Sequence, residues 1–250
     1  MLNPIVVIPA RLQASRLPGK PLADIHGEPM IVHVWRRAVA AAVGPVVVAC
    51  AEEAIAAAVT KAGGNAVLTR ADHPSGSDRV FEAVETCDPE ACFDAVINVQ
   101  GDLPCLDPAI VRAVLAPLSD PAVDIATLVT PIVDPSERDN PNVVKAVVSV
   151  ATGQAGGRAL YFSRNPVPGG EGPLYHHIGL YGYRREALKR FVALPQGVLE
   201  QRERLEQLRA LENGMRIDAA VVDTVPFGVD TPADLERARA MLAAPQSTGR

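Results

Sequence analysis

Apolar residues in the first hundred positions fall into short β-branched runs, separated by stretches where they recur every three or four places. Ile5–Ile8 is an uninterrupted run ended by Pro9, which predicts a strand buried on both faces. After a turn-rich loop, Pro29 opens a helix whose Met30, Val34, Ala38 and Ala41 share one face. Pro45–Ala49 predicts the next strand and Glu52–Ala62 the next helix, which Gly63 and Gly64 can end in a left-handed cap. Ala66–Thr69 follows as a third strand, then a helix over roughly Asp78–Cys87 and a strand at Asp94–Val99. Strands alternating with helices of about 10–15 residues predict right-handed βαβ units, hence an α/β fold with a mostly parallel, doubly wound sheet.

The second half changes character. Val123–Val133 and Val143–Ala151 are long β-type runs around the polar, Pro-rich stretch DPSERDNPN, and Ala159–Phe162 and His177–Tyr183 add more strand. These predict a mixed-sheet extension. Val198–Asn213 reads as one helix, with Leu205, Leu208 and Leu211 in its apolar stripe and Gly214 at its end. Met215–Val222 predicts a final strand, and Gly228–Pro232 opens a last helix carrying Leu235, Ala238 and Leu242. Residues 1–243 are expected to form a single domain and 244–250 a disordered tail.

Composition narrows the function classes. The 250 residues are 48% apolar, ample for one large core. A formal charge of -5 without a long basic run argues against nucleic acid or an anionic membrane surface as partner. Cys50, Cys87, Cys92 and Cys105 form no CxxC pair, which predicts reduced thiols in a cytoplasmic protein. The N-terminal apolar run is too short for a signal peptide, and nothing approaches the roughly 20 apolar residues of a membrane span.

Against this acidic background the chain begins with three cations, Arg11, Arg16 and Lys20, before its first acid at Asp24. They sit on a loop whose Pro9, Pro18 and Gly19 restrict its shape, a pattern that suits the phosphates of a nucleoside triphosphate. Read alone, the loop fits a solvated surface turn equally well. The polar segment Thr69–Arg79 follows a strand, where α/β sheets place ligands. Asp102 and Asp230 each follow an apolar run and a glycine. With bound phosphates they suit Mg²⁺, but alone Asp102 fits a cap for the helix near Pro108 and Asp230 an N-cap for the last helix. No GxxxxGK[ST], GxGxxG after the first strand, HExxH or GxSxG occurs, which excludes several common enzyme classes. His176 and His177 point to opposite faces of their strand.

The segments IPARLQASRLPGKPL, TRADHPSGSDR, NVQGDLP, NPNVVKAV, LYFSRNPVP, HHIGLYGYR, LEQLR and GVDTPADLERAR, in this order, resemble the 3-deoxy-manno-octulosonate cytidylyltransferases over nearly the whole chain. The resemblance implies a Rossmann-like nucleotidyltransferase fold, a homodimer, and Mg²⁺-dependent reaction of CTP with the eight-carbon sugar acid KDO for lipopolysaccharide synthesis. Residues about 120–183 would carry the sugar side and a dimer contact. Carried onto these positions, Arg11, Arg16 and Lys20, with Ala10, would hold the triphosphate, and Arg70, Ser75, Gly76 and Arg79 the cytosine side. Asp102 and Asp230 would be metal ligands. Gln100, Arg164, His177, Tyr181, Glu206 and Gln207 would surround the sugar acid. On its own, Glu206 would be read as a solvated partner of Arg202 or Arg209. Many relatives carry an acid where this chain has Leu103, which leaves the number of metal ions open. A related sugar acid (an amino-KDO or a sialic acid) and a non-catalytic nucleotide-binding regulator remain alternatives.

Overall fold

The computed structural model describes residues 2–13 and 16–243. The expected tail, 244–250, lies outside the described residues. The chain divides into two compact units, one built from residues 5–90, 98–108 and 226 onward, the other from 1–4, 91–97 and 109–225.

The first unit holds β1 (Pro4–Ala10, from Ile5), a two-stranded hairpin β2 (Asp24–Ile25) and β3 (Glu28–Pro29), α1 (Met30–Ala40), β4 (Val46–Cys50), α2 (Glu53–Lys61), β5 (Asn65–Leu68) and α3 (Gly76–Cys87). A C-terminal helix, Pro232–Leu242, completes it. Both pairings in the row β5-β4-β1 are parallel. Ile5–Ile8 and the β4 side chains are buried, as apolar runs without polar interruption require. β1 runs on through Pro9, which pairs with Ala49, so the expected stop at that proline does not occur. A proline's fixed φ is compatible with extended backbone. Met30, Val34, Ala38 and Ala41 are all buried, as their spacing predicts. The chain leaves α2 through Gly63, whose φ of 89° is left-handed. A separate apolar cluster joins Ile25 and Met30 to Val229, Leu235 and Ala238, so the hairpin and α1 anchor the C-terminal helix.

The second unit is mixed. It contains β6 (Ala95–Asn98, its last residue excepted), α4 (Pro108–Ala113, from Ala109), β7 (Ile125–Pro131), α5 (Pro135–Arg138), β8 (Lys145–Ser149), β9 (Gly156–Ser163), β10 (Tyr175–Arg184), α6 (Arg185–Val192), α7 (Val198–Glu203), α8 (Leu208–Glu212) and β11 (Ile217–Val221). Its strand order is β6-β10-β7-β11-β9-β8. β11 runs parallel to β7, whereas β10 is antiparallel to β7 and β9 antiparallel to both β11 and β8. Tyr175 and His176 of β10 also pair with β8, so the row curls back on itself.

The helix expected over Val198–Asn213 is two helices. Arg204 takes φ 57° and ψ 46°, the left-handed region, and ends α7. A non-glycine residue there costs of order 1–3 kcal/mol, so its surroundings must hold it. They do: the Glu200 carboxylate and the Arg209 guanidinium form a buried two-point pair across the break, at 2.8 and 2.6 Å. α5 and α6 are helices that the sequence reading does not include: α5 is a single turn that buries no side chain and is capped by Asp134, which accepts from Ser136 N–H, whereas α6 buries Ala187, Leu188 and Phe191 on one face. Among the described residues no helix is long and apolar enough to cross a membrane. The four cysteines are free thiols, and burial pushes the Cys50 thiol up to about 11.

Candidate active site

In the first unit the loop after β1 carries Arg11 and Arg16 and ends in a 3-10 turn, Lys20–Leu22. Gly19 enters that turn at φ 71°, a conformation that side chains resist, and its N–H bonds the Leu12 carbonyl at 3.2 Å. The turn aims Lys20 inward. Its Nζ lies 2.8 Å from an Asp102 oxygen and 3.1 Å from an Asp230 oxygen, while Arg16 reaches the other Asp230 oxygen at 2.9 Å. Burial works to lower the Lys20 pKa, but Asp102 and then Asp230 outweigh it and hold the group above its ordinary value. Lys20 is therefore an ammonium throughout the neutral range.

Asp102 comes from the turn after β6 and Asp230 from the segment that leads into the C-terminal helix. Gly101, just before Asp102, lies so close to β1 that a Cβ would sit 2.6 Å from the Pro9 carbonyl oxygen. Only glycine admits that approach. Asp230 precedes the C-terminal helix but does not cap it. Thr231 is the N-cap, accepting from Asp234 N–H at 3.2 Å, and Asp234 reaches back to Thr231 N–H at 2.9 Å in a capping box. The helix near Pro108 begins six places beyond Asp102, whose side chain instead faces Lys20. The capping readings of both aspartates give way to a shared position around one cation.

These residues line a cavity of about 380 Å³ together with Pro9, Ala10, Gln13, His73, Ser75, Gly76, Arg79 and Gln100. Its lining sets four cations, Arg11, Arg16, Lys20 and Arg79, against two carboxylates. The Thr69–Arg79 segment is less of a loop than its polarity suggests, because α3 begins at Gly76 with Ser75 as N-cap. The Ser75 hydroxyl accepts from Asp78 N–H at 3.2 Å. Arg79 is buried in the first turn and donates to Thr69 at 2.6 Å. Arg70 is exposed, pairs with Asp72 at 3.2 Å and does not belong to the cavity lining. Gln13 and His73 are lining residues that the sequence reading did not select. His73 bonds Glu82, which fixes its ring; its place in the polar segment before α3 was the available signal.

A hard cation fits the donor set. Asp102 and Asp230 already converge on a positive charge, and Mg²⁺ typically takes one or two carboxylates plus phosphate and water oxygens. Among the described residues no three His, Cys, Asp or Glu side chains group as a metal site. Ligands beyond these two carboxylates would thus come from oxygens outside the protein, such as those of a bound triphosphate. Leu103 is buried and faces Gly228, 3.7 Å from where a Cβ would stand.

The remaining sugar-side candidates belong to the second unit, except Gln100. His177 is buried, packs edge-on to Phe162 at 4.8 Å between ring centroids and bonds Thr127 at 3.0 Å through Nε2. Thr127 has the Ile178 and Leu180 carbonyls to donate to, so it can accept from Nε2–H of a neutral ring. Burial, then His176, push the His177 pKa down to about 3. His176 has a different neighbour, Glu137 at 3.5 Å. Tyr181 lies 5.6 Å from His177 between ring centroids, and burial, with Tyr183 and Glu206 adding to it, raises its pKa. Both groups are neutral hydrogen bonders. Glu206 is 3.8 Å from Arg209, whose close partner is Glu200. Gln207 is buried, and its side-chain nitrogen has no hydrogen-bond partner among the described residues. Arg164 lies at a second cavity with Asn142, Asn165 and the α7 end.

A cytidylyltransferase family profile matches residues 5–217. The 3-deoxy-manno-octulosonate cytidylyltransferase of Paramagnetospirillum magneticum is 72% identical over 97% of this chain and 99% of its own. That of Methylobacterium radiotolerans is 68% identical over 97% and 98%. Among solved structures, a CMP:2-keto-3-deoxy-manno-octonic acid synthetase in complex with CTP superposes with a TM-score of 0.88 at 42% identity, covering 96% of this chain and 98% of its own. A nucleotidyl transferase at 16% identity has a TM-score of 0.61, covering 96% of this chain and 97% of its own, and shows the fold alone. With a Rossmann-like nucleotidyltransferase fold and this full-length similarity, the chain belongs to the cytidylyltransferase family, among the 3-deoxy-manno-octulosonate cytidylyltransferases.

Proposed function

We propose that this protein transfers CMP from CTP to the anomeric hydroxyl of 3-deoxy-manno-octulosonate, releasing pyrophosphate and supplying activated sugar for lipopolysaccharide. The observation that carries the reading is the Lys20 ammonium held between Asp102 and Asp230 in a cavity with a surplus of cations. Arg11, Arg16 and Lys20 bind the triphosphate, beside the Ala10 main chain. Lys20 stabilises the charge that develops as pyrophosphate leaves, and its raised pKa keeps it cationic for that task. Ser75 and Gly76 at the start of α3 approach the cytosine. Arg79 is buried against Thr69, so it serves that side through the shape of the pocket floor.

Asp102 and Asp230 would hold Mg²⁺, which when bound neutralises phosphate charge and acidifies and orients the attacking hydroxyl. On the sugar side, neutral His177 and Tyr181 supply hydrogen bonds without charge, and the unpartnered Gln207 nitrogen is a donor available to a hydroxyl or carboxylate. Glu206 belongs to the same set, and Gln100 is assigned to the sugar from its own place in the lining of the first unit's cavity. The family profile spans both compact units, which supports a single catalytic domain over 1–243. We also propose a cytoplasmic homodimer using residues about 120–183, where Val133 and Leu160 are exposed; a monomer in light scattering counts against it.

Pyrophosphate release is the test of function. It should be fast with CTP and KDO and slow with a sialic acid, and no release with KDO removes the proposal.

A further inference from the structure

Arg164 does not present a free guanidinium to a ligand. Nε donates to the Glu203 carbonyl at 3.0 Å, Nη1 to the Pro141 carbonyl at 3.0 Å and Nη2 to the Arg204 carbonyl at 3.5 Å. Two of the three carbonyls belong to Arg204, the residue in the left-handed conformation, and to the residue before it. The Glu203 carboxylate locks the same junction from the other side, accepting from Arg164 N–H at 3.1 Å and the Ser163 hydroxyl at 3.0 Å. Lys145, fully buried in β8, donates to the Asn140 carbonyl at 2.7 Å and the Arg164 carbonyl at 3.4 Å. Among the described residues neither cation has a carboxylate within hydrogen-bond reach of its charged end, Asp139 and Glu137 acting on Lys145 only through space, and the two thus tie the turn at 140–141, the end of β9 and the α7–α8 break together.

We propose that Arg164 and Lys145 are positioning residues, a two-point clamp on the main chain that holds Arg204 left-handed and so sets where Glu206 and Gln207 point. The break turns the chain immediately before those residues. Without it, the apolar stripe Leu205, Leu208 and Leu211 would continue as one helix and rotate Glu206 and Gln207 away. The clamp rests on the reading that these two residues face the sugar acid. It replaces direct sugar contact by Arg164, which the resemblance implied, with action through the backbone.

The test is Arg164→Lys, which keeps the charge and most of the stem but exchanges a planar fork for a single ammonium. Amide hydrogen exchange over 203–209 in the free protein should speed up about tenfold. The KM for KDO should rise about tenfold and the KM for CTP by less than about twofold, since only one substrate's contacts have moved. Added to Gln207→Ala, Arg164→Lys should raise the KDO KM little further, because what it positions is gone. Unchanged exchange over 203–209 overturns the clamp. Faster exchange with an unchanged KDO KM overturns the positioning role, and full additivity with Gln207→Ala makes Arg164 a contact residue and overturns it equally. If the unaltered protein fails to use KDO, the sugar reading falls and takes the positioning role with it, while exchange still decides whether the clamp exists. Should Arg164→Lys not fold, Lys145→Met loosens the clamp from its other cation and is read in the same way.

Discussion

Lys20 and its two aspartates carry the sharpest residue-level test, because the geometry gives Asp102 no capping task to lose. Asp102→Asn keeps volume and polarity and removes one partner of a partly exposed ion pair, worth less than about 1 kcal/mol of stability. The melting temperature should therefore stay within a few degrees. Turnover should fall at least ~10²-fold, about 2.7 kcal/mol of transition-state stabilisation, with a higher Mg²⁺ requirement. Near-normal turnover at low Mg²⁺ would remove Asp102 from the metal set. His177 makes a second prediction. Its pKa is about 3 in the fold against about 6.5 unfolded, so between these values the unfolded chain binds a proton that the folded protein excludes. Stability from this group is complete above pH 6.5 and is lost as pH falls toward 3, at up to about 1.4 kcal/mol per pH unit. Melting curves of His177→Asn should show a shallower decline over that window, and an identical slope would refute the buried neutral ring.

At the scale of elements, the C-terminal helix separates two adjacent residues with different tasks. Thr231→Ala removes an N-cap and one arm of a capping box, and should cost about 1 kcal/mol of stability. Asp230→Ala should leave denaturant unfolding almost unchanged while impairing turnover. A large stability loss for Asp230→Ala would return the cap to that residue, whereas Asn, as good a cap as Asp, could not show it. The α7–α8 break shows why a clean apolar period misled: Leu205 and Leu208 are buried as a single helix would have them. Neither Gly nor Pro marks the turn at Arg204. The break is held by Glu200–Arg209 and by carbonyl contacts from Arg164, groups up to 40 positions apart. Arg209→Met should cost about 3–5 kcal/mol, because it strands a buried carboxylate, and urea unfolding would measure it.

On the scale of the whole molecule, ligand linkage is the readout. CTP with Mg²⁺ at a hundred times its dissociation constant should add about 2.7 kcal/mol, a rise of roughly 5–10 °C for a chain of this length. UTP, ATP and GTP should give much less at equal concentration. A larger shift with any of these three would undo the cytosine assignment of Ser75 and Gly76. Much of the architecture was legible from the chain: Ile5–Ile8, a strand expected at Pro45–Ala49 and found at Val46–Cys50, and the helix face of Met30, Val34, Ala38 and Ala41 follow from apolar runs and period alone. The cationic loop was legible as a phosphate candidate, and Asp102 and Asp230, each after an apolar run and a glycine, as carboxylate candidates.

Period, composition and local capping chemistry act over a few residues, and that is the range over which the sequence by itself determined this protein: its alternating strands and helices, its mixed second half, and a basic loop in an acidic chain. The family resemblance extended this to named site residues. Only the tertiary structure decided that Lys20 sits between Asp102 and Asp230, residues 82 and 210 positions away. It alone drew Asp230 away from the helix end to Lys20 and Arg16, buried Arg79 against Thr69 and directed the Arg164 guanidinium to carbonyls. The physical reason is common to all four. A side chain with several donors or acceptors has local and distant partners of similar strength, and close packing of remote segments chooses between them.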